Sequence, residues 1–274
     1  MNTALKRTIF STLLVPFAFG AQSVSAELIT DWGYSVTNTF SDVEQTAGDG
    51  GVVASSPGGV STLSWGVGGV PQSSISITDE SAPNGLITGA DPGWVMGGTF
   101  THINNPLPVR GAALESFNLN STLELTAAAP DNGEMQNLSL SFESYFNETL
   151  NNGDCFEGSN GSCDDIFTLG NISDLGSVVN GGFQLNPQSF TIGDYTYSVF
   201  LELQNLGVLS DEACTTAGAA TGCVGLITLE NGTSNFNTRF RITAQQVPEP
   251  GTLALLGLGL AGLGLSRRSK AAKA

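Results

Sequence analysis

Positive charge is the scarcest feature of this 274-residue sequence. It contains nine Lys and Arg residues and one histidine against 25 acidic residues, and six of the nine cations lie in the two terminal segments. Residues 27–246 keep three arginines against 24 acidic residues. Affinity for nucleic acid comes mainly from neutralising phosphates, and anionic lipid selects basic segments, so such a surface excludes both partners. It suits a protein exported in soluble form.

The sequence also lacks the common catalytic signatures. It has no Gly-x-Ser-x-Gly elbow, no His-Glu-x-x-His pair and no phosphate-binding loop between a strand and a helix. A glycosidase needs two carboxylates across a cleft, but a chain so rich in acidic residues forms such pairs without any catalytic meaning. We therefore expect a protein that is not an enzyme and has no catalytic residues. A hydrolase without a recognisable signature is the alternative class.

The N-terminal apolar run is too short to span a membrane. Residues 1–26 have the layout of a secretory signal peptide, with Lys6 and Arg7 before an apolar core at 9–19 and small residues before Ala26. Eleven apolar residues cannot cross the hydrocarbon region, which argues against a retained anchor. We expect signal peptidase to cut between Ala26 and Glu27.

Residues 247–274 form a second targeting segment. Gly251–Leu265 carries no charge, and fifteen helical residues would measure about 23 Å against a hydrocarbon core of roughly 30 Å. The helix therefore spans a membrane only with help from its flanking residues. The basic end should stay cytoplasmic, which places the rest of the chain on the far side of the inner membrane. A tail anchor that is never cut is the alternative.

This C-terminus resembles the bacterial PEP-CTERM sorting signal, in which a Pro-Glu-Pro motif, a hydrophobic helix and a basic cluster follow one another. The resemblance implies recognition by an exosortase, transient anchoring in the inner membrane, removal of the helix, and a cell that makes an exopolysaccharide matrix. The cell surface or the extracellular space is then the destination. The sorting motif comprises Val247, Pro248, Glu249, Pro250, Arg267 and Arg268.

A shorter motif lies near the middle of the chain. Thr101, His102 and Asn104, with Pro106 nearby, resemble the Thr-His-x-Asn motif of one subgroup of PEP-CTERM proteins. That resemblance implies no biochemical activity. His102 is the single histidine, and no nucleophile or carboxylate pair is spaced around it for catalysis. We expect a buried histidine that anchors a turn through a hydrogen bond to the backbone.

Alternation of apolar and polar residues predicts the fold of residues 27–246. Apolar residues recur with a period of two, which indicates half-buried strands. The longest such runs are 117–125, 138–142, 195–203 and 236–242, and shorter candidates are 59–67, 73–78, 94–102, 165–169 and 224–230. Thirty-five glycines supply turns, and no sustained helical period occurs. We predict one all-β domain, an antiparallel β-sandwich of jelly-roll-like form, with residues 42–59 as a mobile loop or hairpin tip.

The four cysteines fit an oxidising destination. Cys155 and Cys163 enclose seven residues, and Cys214 and Cys223 enclose eight. Three pairings are possible, and local pairing within each loop is the expectation. The spacings are too long for a zinc knuckle, and a second histidine is missing.

The first cysteine loop also suggests a cation. Asp154, Glu157, Asp164 and Asp165 lie within twelve residues, and calcium prefers such oxygen ligands. Their spacing matches neither an EF-hand nor a calcium-binding repeat, so a solvated acidic loop with no cofactor is the competing interpretation.

Two functions remain open for the central domain. The first is a non-enzymatic role at the cell surface or in the exopolysaccharide matrix. The second is a carbohydrate-binding module, in which Trp32, Trp65 or Trp94 could stack on sugar rings. At least two of these tryptophans are expected in the core, and an exposed aromatic platform on one sheet face would favour sugar binding.

Overall fold

The computed structural model describes residues 26–149, 159, 164–170, 172, 175–247, 257, 259 and 260. This part of the chain is all-β, with two antiparallel sheets and a short helix α1 (Asp211–Thr216). In chain order, the strands are β1 (Asp31–Gln45), β2 (Val53–Ser55), β3 (Val60–Trp65), β4 (Ser73–Thr78), β5 (Glu80–Ile87), β6 (Val95–Ile103), β7 (Leu114–Ala129), β8 (Met135–Asn147), β9 (Asp165–Leu169), β10 (Gly176–Val179), β11 (Gly182–Leu185), β12 (Gln188–Ile192), β13 (Tyr195–Gln204), β14 (Gly207–Val208), β15 (Val224–Thr228) and β16 (Thr233–Gln246).

The strands are divided between two sheets. The first sheet has the order β14-β15-β9-β8-β7-β1-β5. The second has the order β10-β11-β13-β16-β6-β4-β3-β2, and β12 pairs with β13 beside this path. Consecutive strands often belong to different sheets, as β15 and β16 do, so the chain crosses repeatedly between them. The jelly-roll-like connectivity stays a prediction.

Every alternating run in the sequence lies on a strand. In β7, Phe117 and Leu119 are buried while Asn118 between them is not, and in β16 the buried Phe236, Phe240 and Ile242 alternate in the same way. The pattern succeeds because one face of each strand packs on the opposite sheet and the other meets water.

A phenylalanine stack joins the two sheets. Phe100 of β6 lies 4.5 Å from Phe167 of β9 and 4.7 Å from Phe236 of β16, between ring centroids. Phe167 belongs to the first sheet and the other two to the second. All three are fully buried, and each contributes roughly 1.5–3 kcal/mol through its burial. The sheets therefore share one hydrophobic core, as in a sandwich.

A second core cluster lies around Trp32 and Tyr197. Both side chains are fully buried, and their rings meet edge to face at 5.2 Å. The Tyr197 hydroxyl accepts a hydrogen bond from the Ile29 amide, which ties the start of the domain to β13.

Three local features differ from the sequence prediction. The segment 42–59 is not simply a loop, because β1 continues to Gln45 and β2 pairs with β3. β1 itself was missed because polar Asn38 points inward, where its side-chain amide donates to the Thr78 and Gly97 carbonyls. Helix α1 is too short to show a helical period, although Ser210 caps it by accepting from the Ala213 amide.

The terminal predictions fall mostly outside this description. The proposed signal peptide lies outside it except for Ala26, and so do Pro248, Glu249, Pro250, Arg267 and Arg268. No helix in the described ranges is long and apolar enough to span a membrane, and these ranges include only residues 257, 259 and 260 of the hydrophobic segment.

Candidate functional site

The Thr-His-x-Asn motif lies at the end of β6, where the second sheet meets the first. His102 and Asn104 are both fully buried, and Thr101 is half-buried on the opposite side of the strand. The Asn104 side-chain amide donates to the Thr228 carbonyl at 3.2 Å, and its backbone amide donates to Gly232 O at 2.9 Å. The motif therefore fastens β6 to the turn through which β15 leads into β16.

His102 makes the second connection to the same strand. Its Nδ1 lies 2.8 Å from the Thr228 hydroxyl, so its partner is a side chain and not the backbone that the sequence suggested. The imidazole stacks on the Trp65 indole at 6.0 Å and meets the Phe146 ring edge to face at 4.9 Å. Packing and one hydrogen bond hold the ring from three sides.

Two carboxyl groups complete what we call the polar core cluster. Asp165, the first residue of β9, places Oδ2 3.7 Å from His102 Nε2 and accepts from the Thr149 amide at 3.0 Å. Asp165 and Glu148 interact electrostatically, and burial together with their mutual repulsion favours the protonated form of the pair. Glu148 also accepts from the Trp65 indole N–H at 2.8 Å. The members of the polar core cluster are Trp65, His102, Asn104, Glu148, Asp165 and Thr228.

Burial controls protonation in this cluster. It lowers the pKa of His102 to about 3, so the imidazole is neutral. Burial raises the pKa of Asp165 to about 9, and repulsion from Glu148 acts in the same direction. Burial likewise raises the pKa of Glu148 to about 7. The cluster at neutral pH thus holds a neutral histidine beside a carboxyl pair that retains a proton.

The polar core cluster is closed to solvent at its centre. His102 and Asp165 have zero exposure, so no substrate atom reaches them in this conformation. Pro106, the last residue of the motif, lies on the wall of an open cleft of about 500 Å³, which Glu148 of the cluster also lines. The histidine and the proline of one short motif therefore meet different environments.

The structure describes two of the four residues proposed to bind calcium. Asp154 and Glu157 lie outside the described residues, whereas Asp164 and Asp165 are buried, and Asp165 faces His102. Within the described ranges, no three His, Cys, Asp or Glu side chains converge as a metal site would require. A calcium site in this loop stays a prediction, and a melting experiment with and without millimolar calcium tests it.

The cysteine prediction is confirmed for one loop. Cys214 of α1 is bonded to Cys223 just before β15, with their Cα atoms 5.7 Å apart. Ala219, Tyr145 and Leu209 pack around this bridge. The predicted pair Cys155 and Cys163 lies outside the described residues.

A second group of side chains that could contact a ligand lies on the outer face of the second sheet. Arg239 and Arg241 alternate with the buried Phe240 in β16, so both point outward. The Trp94 ring centroid lies 4.7 Å from Arg239 Cζ and 5.1 Å from Arg241 Cζ, and the Phe200 centroid lies 4.9 Å from Arg241 Cζ. We call Trp94, Phe200, Arg239 and Arg241 the arginine face.

The arginines of this face have different partners. Arg239 donates to the buried Glu202 carboxylate at 2.7 Å, across the β13–β16 pair. Arg241 pairs across the same strands with Phe200, the one aromatic residue on the polar side of β13. No carboxylate in the described residues lies within ion-pair distance of Arg241.

Sequence reasoning identified part of these two groups. It singled out His102, Asn104, Asp165 and Trp94, but it missed Glu148 and Thr228, which approach from other strands. Phe200 was visible as an exception to its strand's pattern. The spacing of Arg239 and Arg241 was a further available signal, because residues two apart in a strand share a face.

Of the three tryptophans, Trp32 and Trp65 are fully buried, whereas Trp94 is half-buried at the sheet surface. The expectation that at least two belong to the core agrees with this placement.

The predicted signal peptidase site and the start of the sorting segment lie side by side. Asp194, in the turn between β12 and β13, accepts from the Ala26 amide through Oδ2 at 2.8 Å and from the Val247 amide through its backbone carbonyl at 2.7 Å. Glu27 is exposed next to Ala26. Strand β16 ends at Gln246, so the C-terminal segment begins directly at the edge of the domain.

Comparison with known families gives one match. Residues 246–268 match the family described as the PEP-CTERM protein-sorting motif. No curated protein and no solved structure matches the chain. The matched segment begins at the last residue of β16 and includes the Pro-Glu-Pro motif and both arginines of the tail. The motif implies that an exosortase processes this chain and that the protein is exported by way of the membrane.

Proposed function

We propose that this chain is a non-enzymatic exported protein of the cell surface or exopolysaccharide matrix. Signal peptidase removes residues 1–26, and the hydrophobic tail then holds the protein in the inner membrane until an exosortase cuts it. The observation that carries this proposal is the sorting-motif match at residues 246–268, directly after the last strand. The acidic composition of residues 27–246 supports a partner other than nucleic acid.

The position of the motif histidine supports a structural role for the Thr-His-x-Asn segment. His102 bonds to the Thr228 hydroxyl, and Asn104 donates to the Thr228 carbonyl and to Gly232 O in the turn after β15. We propose that the motif fixes the two sheets against each other and does not act on a substrate.

Cell fractionation tests the sorting route. The experiment follows the domain and its C-terminal mass in cells with and without the exosortase, using the unaltered chain and a variant in which Pro248, Glu249 and Pro250 are alanine. We expect the unaltered chain to lose its tail and leave the inner membrane only when the exosortase is present. An intact tail on the surface-located protein would contradict the proposal and favour a permanent anchor.

A carbohydrate-binding role is the second candidate. It is favoured by the half-buried Trp94 and by Phe200, which bring two aromatic rings to one outer sheet face. Aromatic rings with one accessible face stack on the apolar faces of sugars. Affinity electrophoresis against the polysaccharide of the producing cell distinguishes the candidates, because a purely structural protein would migrate unchanged.

A further inference from the structure

We propose that the arginine face binds the carboxylate group of an acidic saccharide, and that Arg241 receives this carboxylate. The proposal rests on the carbohydrate-binding candidate and names the ligand class of that site. Trp94 would stack on the sugar ring, and the guanidinium would select sugars that carry a carboxylate.

Arg241 is held in a receptive arrangement by the rings around it. Its Cζ lies about equally far from the Trp94 and Phe200 centroids, at 5.1 and 4.9 Å. Contact with aromatic rings orients a guanidinium while leaving its N–H donors in the plane, where a carboxylate can accept two of them. Because the two rings restrict the rotamers of Arg241, this side chain loses less conformational entropy when a ligand binds to it.

The other arginines of the domain are already engaged. Arg239 donates to Glu202, whose side chain is 6% exposed, and Arg110 lies 3.2 Å from Asp49. Among the described residues, Arg241 has neither an ion pair nor a side-chain hydrogen bond. Its Nε is buried, as is that of Arg239, so a ligand would contact the terminal Nη groups. Within the described part of the domain, the Arg241 guanidinium is therefore without an ionic partner, and it lies beside the half-buried indole.

The surrounding sheet face suits a hydroxyl-rich ligand. Ser198 shares the outer side of β13 with Phe200, and its hydroxyl lies 2.8 Å from that of Ser189 on β12. Thr196 and Thr191 form a similar exposed pair at 3.1 Å. Hydroxyls of this kind can donate to and accept from sugar hydroxyls. An anionic protein segment would not need such a row of hydroxyl groups, so we propose a saccharide as the ligand.

The test uses the full chain, purified from membranes in detergent, with two polymers of the same backbone. Polygalacturonate carries carboxylates, and its methyl ester is neutral. Both polymers are compared at about 0.15 M salt, which screens the repulsion between the acidic domain and a polyanion beyond roughly 8 Å. We expect the unaltered chain to bind polygalacturonate, and to bind the methyl ester at least tenfold more weakly, about the loss of one charge-assisted hydrogen-bond pair.

The variants locate the site. Arg241→Gln and Trp94→Ala should each weaken polygalacturonate binding about tenfold. Arg110→Gln removes the same charge elsewhere and should leave binding within twofold of the unaltered chain. Arg241→Lys keeps the charge without the planar fork and should bind at an intermediate strength. Thermal melting of each variant shows whether the domain is folded.

Three results overturn the proposal. One is equal binding of the methyl ester, a second is unaltered binding by folded Arg241→Gln, and the third is no binding of either polymer by the unaltered chain. The first two leave the carbohydrate-binding candidate standing, because a saccharide would still be bound. None of them affects the sorting route, which the fractionation experiment decides separately.

Discussion

Trp65, the last residue of β3, and Trp94, just before β6, occupy opposite environments, and each has charged or titratable neighbours. Trp65 is fully buried, donates its indole N–H to Glu148 and stacks on His102. Trp94 is half-buried at the surface, with the guanidinium groups of Arg239 and Arg241 near its ring. In the interior the polar groups bond mainly to one another, whereas the arginine face retains donors that no described residue uses.

Because of this difference, we expect the polar core cluster to contribute to folding stability and the arginine face to ligand binding. A buried polar group without a partner costs far more than an exposed one. The polar core cluster bonds His102 Nδ1 and the Trp65 indole N–H, whereas His102 Nε2 and Asp165 Oδ2 face each other at 3.7 Å without a hydrogen bond. An outer sheet face is free of that constraint and can keep a charged group available for a ligand. We therefore expect substitutions in the polar core cluster to change folding, and substitutions on the arginine face to change binding.

The largest effect is expected for His102→Ala. The substitution removes the ring between Trp65 and Phe146 and leaves the buried Thr228 hydroxyl without its partner. We expect the free energy of unfolding to fall by about 2–4 kcal/mol. Denaturant unfolding measures this, with Arg241→Gln as the surface control. Equal stability of His102→Ala and the unaltered chain would contradict the structural role of the motif.

The polar core cluster should also make stability depend on pH. The raised pKa values of Asp165, about 9, and Glu148, about 7, mean that the folded state binds more protons than the unfolded state above about pH 4. The stability these groups contribute is therefore lost as pH rises toward 9. The lowered pKa of His102, about 3, acts oppositely and costs stability as pH falls below about 6.5. Between pH 6.5 and 9, we expect the free energy of unfolding to fall.

Asp165→Asn separates the two contributions. An amide keeps the size of the carboxyl group without its charge, so the variant should lose most of the decline above pH 6.5 and be more stable than the unaltered chain at pH 9 by about 2 kcal/mol. Chemical unfolding at several pH values measures this, with exposed Asp49→Asn as the control. A decline of unchanged slope in Asp165→Asn would assign the pH dependence to other groups.

A smaller loss is expected for Arg239→Gln. Glu202 is nearly buried, and removing its partner leaves a carboxylate with less compensation. Because the arginine side chain is 31% exposed, water offsets part of this cost, and we expect a loss of about 1 kcal/mol. Arg241→Gln, which breaks no ion pair, should cost less. If the two variants were equally stable, the ion pair between Arg239 and Glu202 would contribute nothing to stability, and the proposed difference between Arg239 and Arg241 would be wrong.

The smallest effect is expected for Arg110→Gln. Arg110 and Asp49 are 78% and 60% exposed, and ion pairs of this kind contribute at most a few tenths of a kcal/mol. The melting temperature should stay unchanged within error. A clear loss would show that the surface charges matter for folding, and it would remove the contrast between the interior and the outer face.

The sequence predicted those features that depend on residues close together in the chain. The period of two in residues 117–125 and 236–242 depends on one strand only, so it predicted strands that the structure contains. β1 was missed because Asn38 faces inward and bonds to carbonyls of β4 and β6, residues 40 and 59 positions away. The bonding partner of His102 was wrong for the same reason, because Thr228 is 126 residues distant.

The sequence by itself determined the route of this protein and its class of fold. Targeting signals are contiguous segments that the export machinery reads along the chain, and the match at residues 246–268 is of this kind. Only the tertiary structure decided which carboxyl groups lie beside His102, which tryptophan reaches the surface and which arginine has no ionic partner among the described residues. These are properties of strand pairing and sheet packing, which bring distant residues together through contacts that no local pattern encodes.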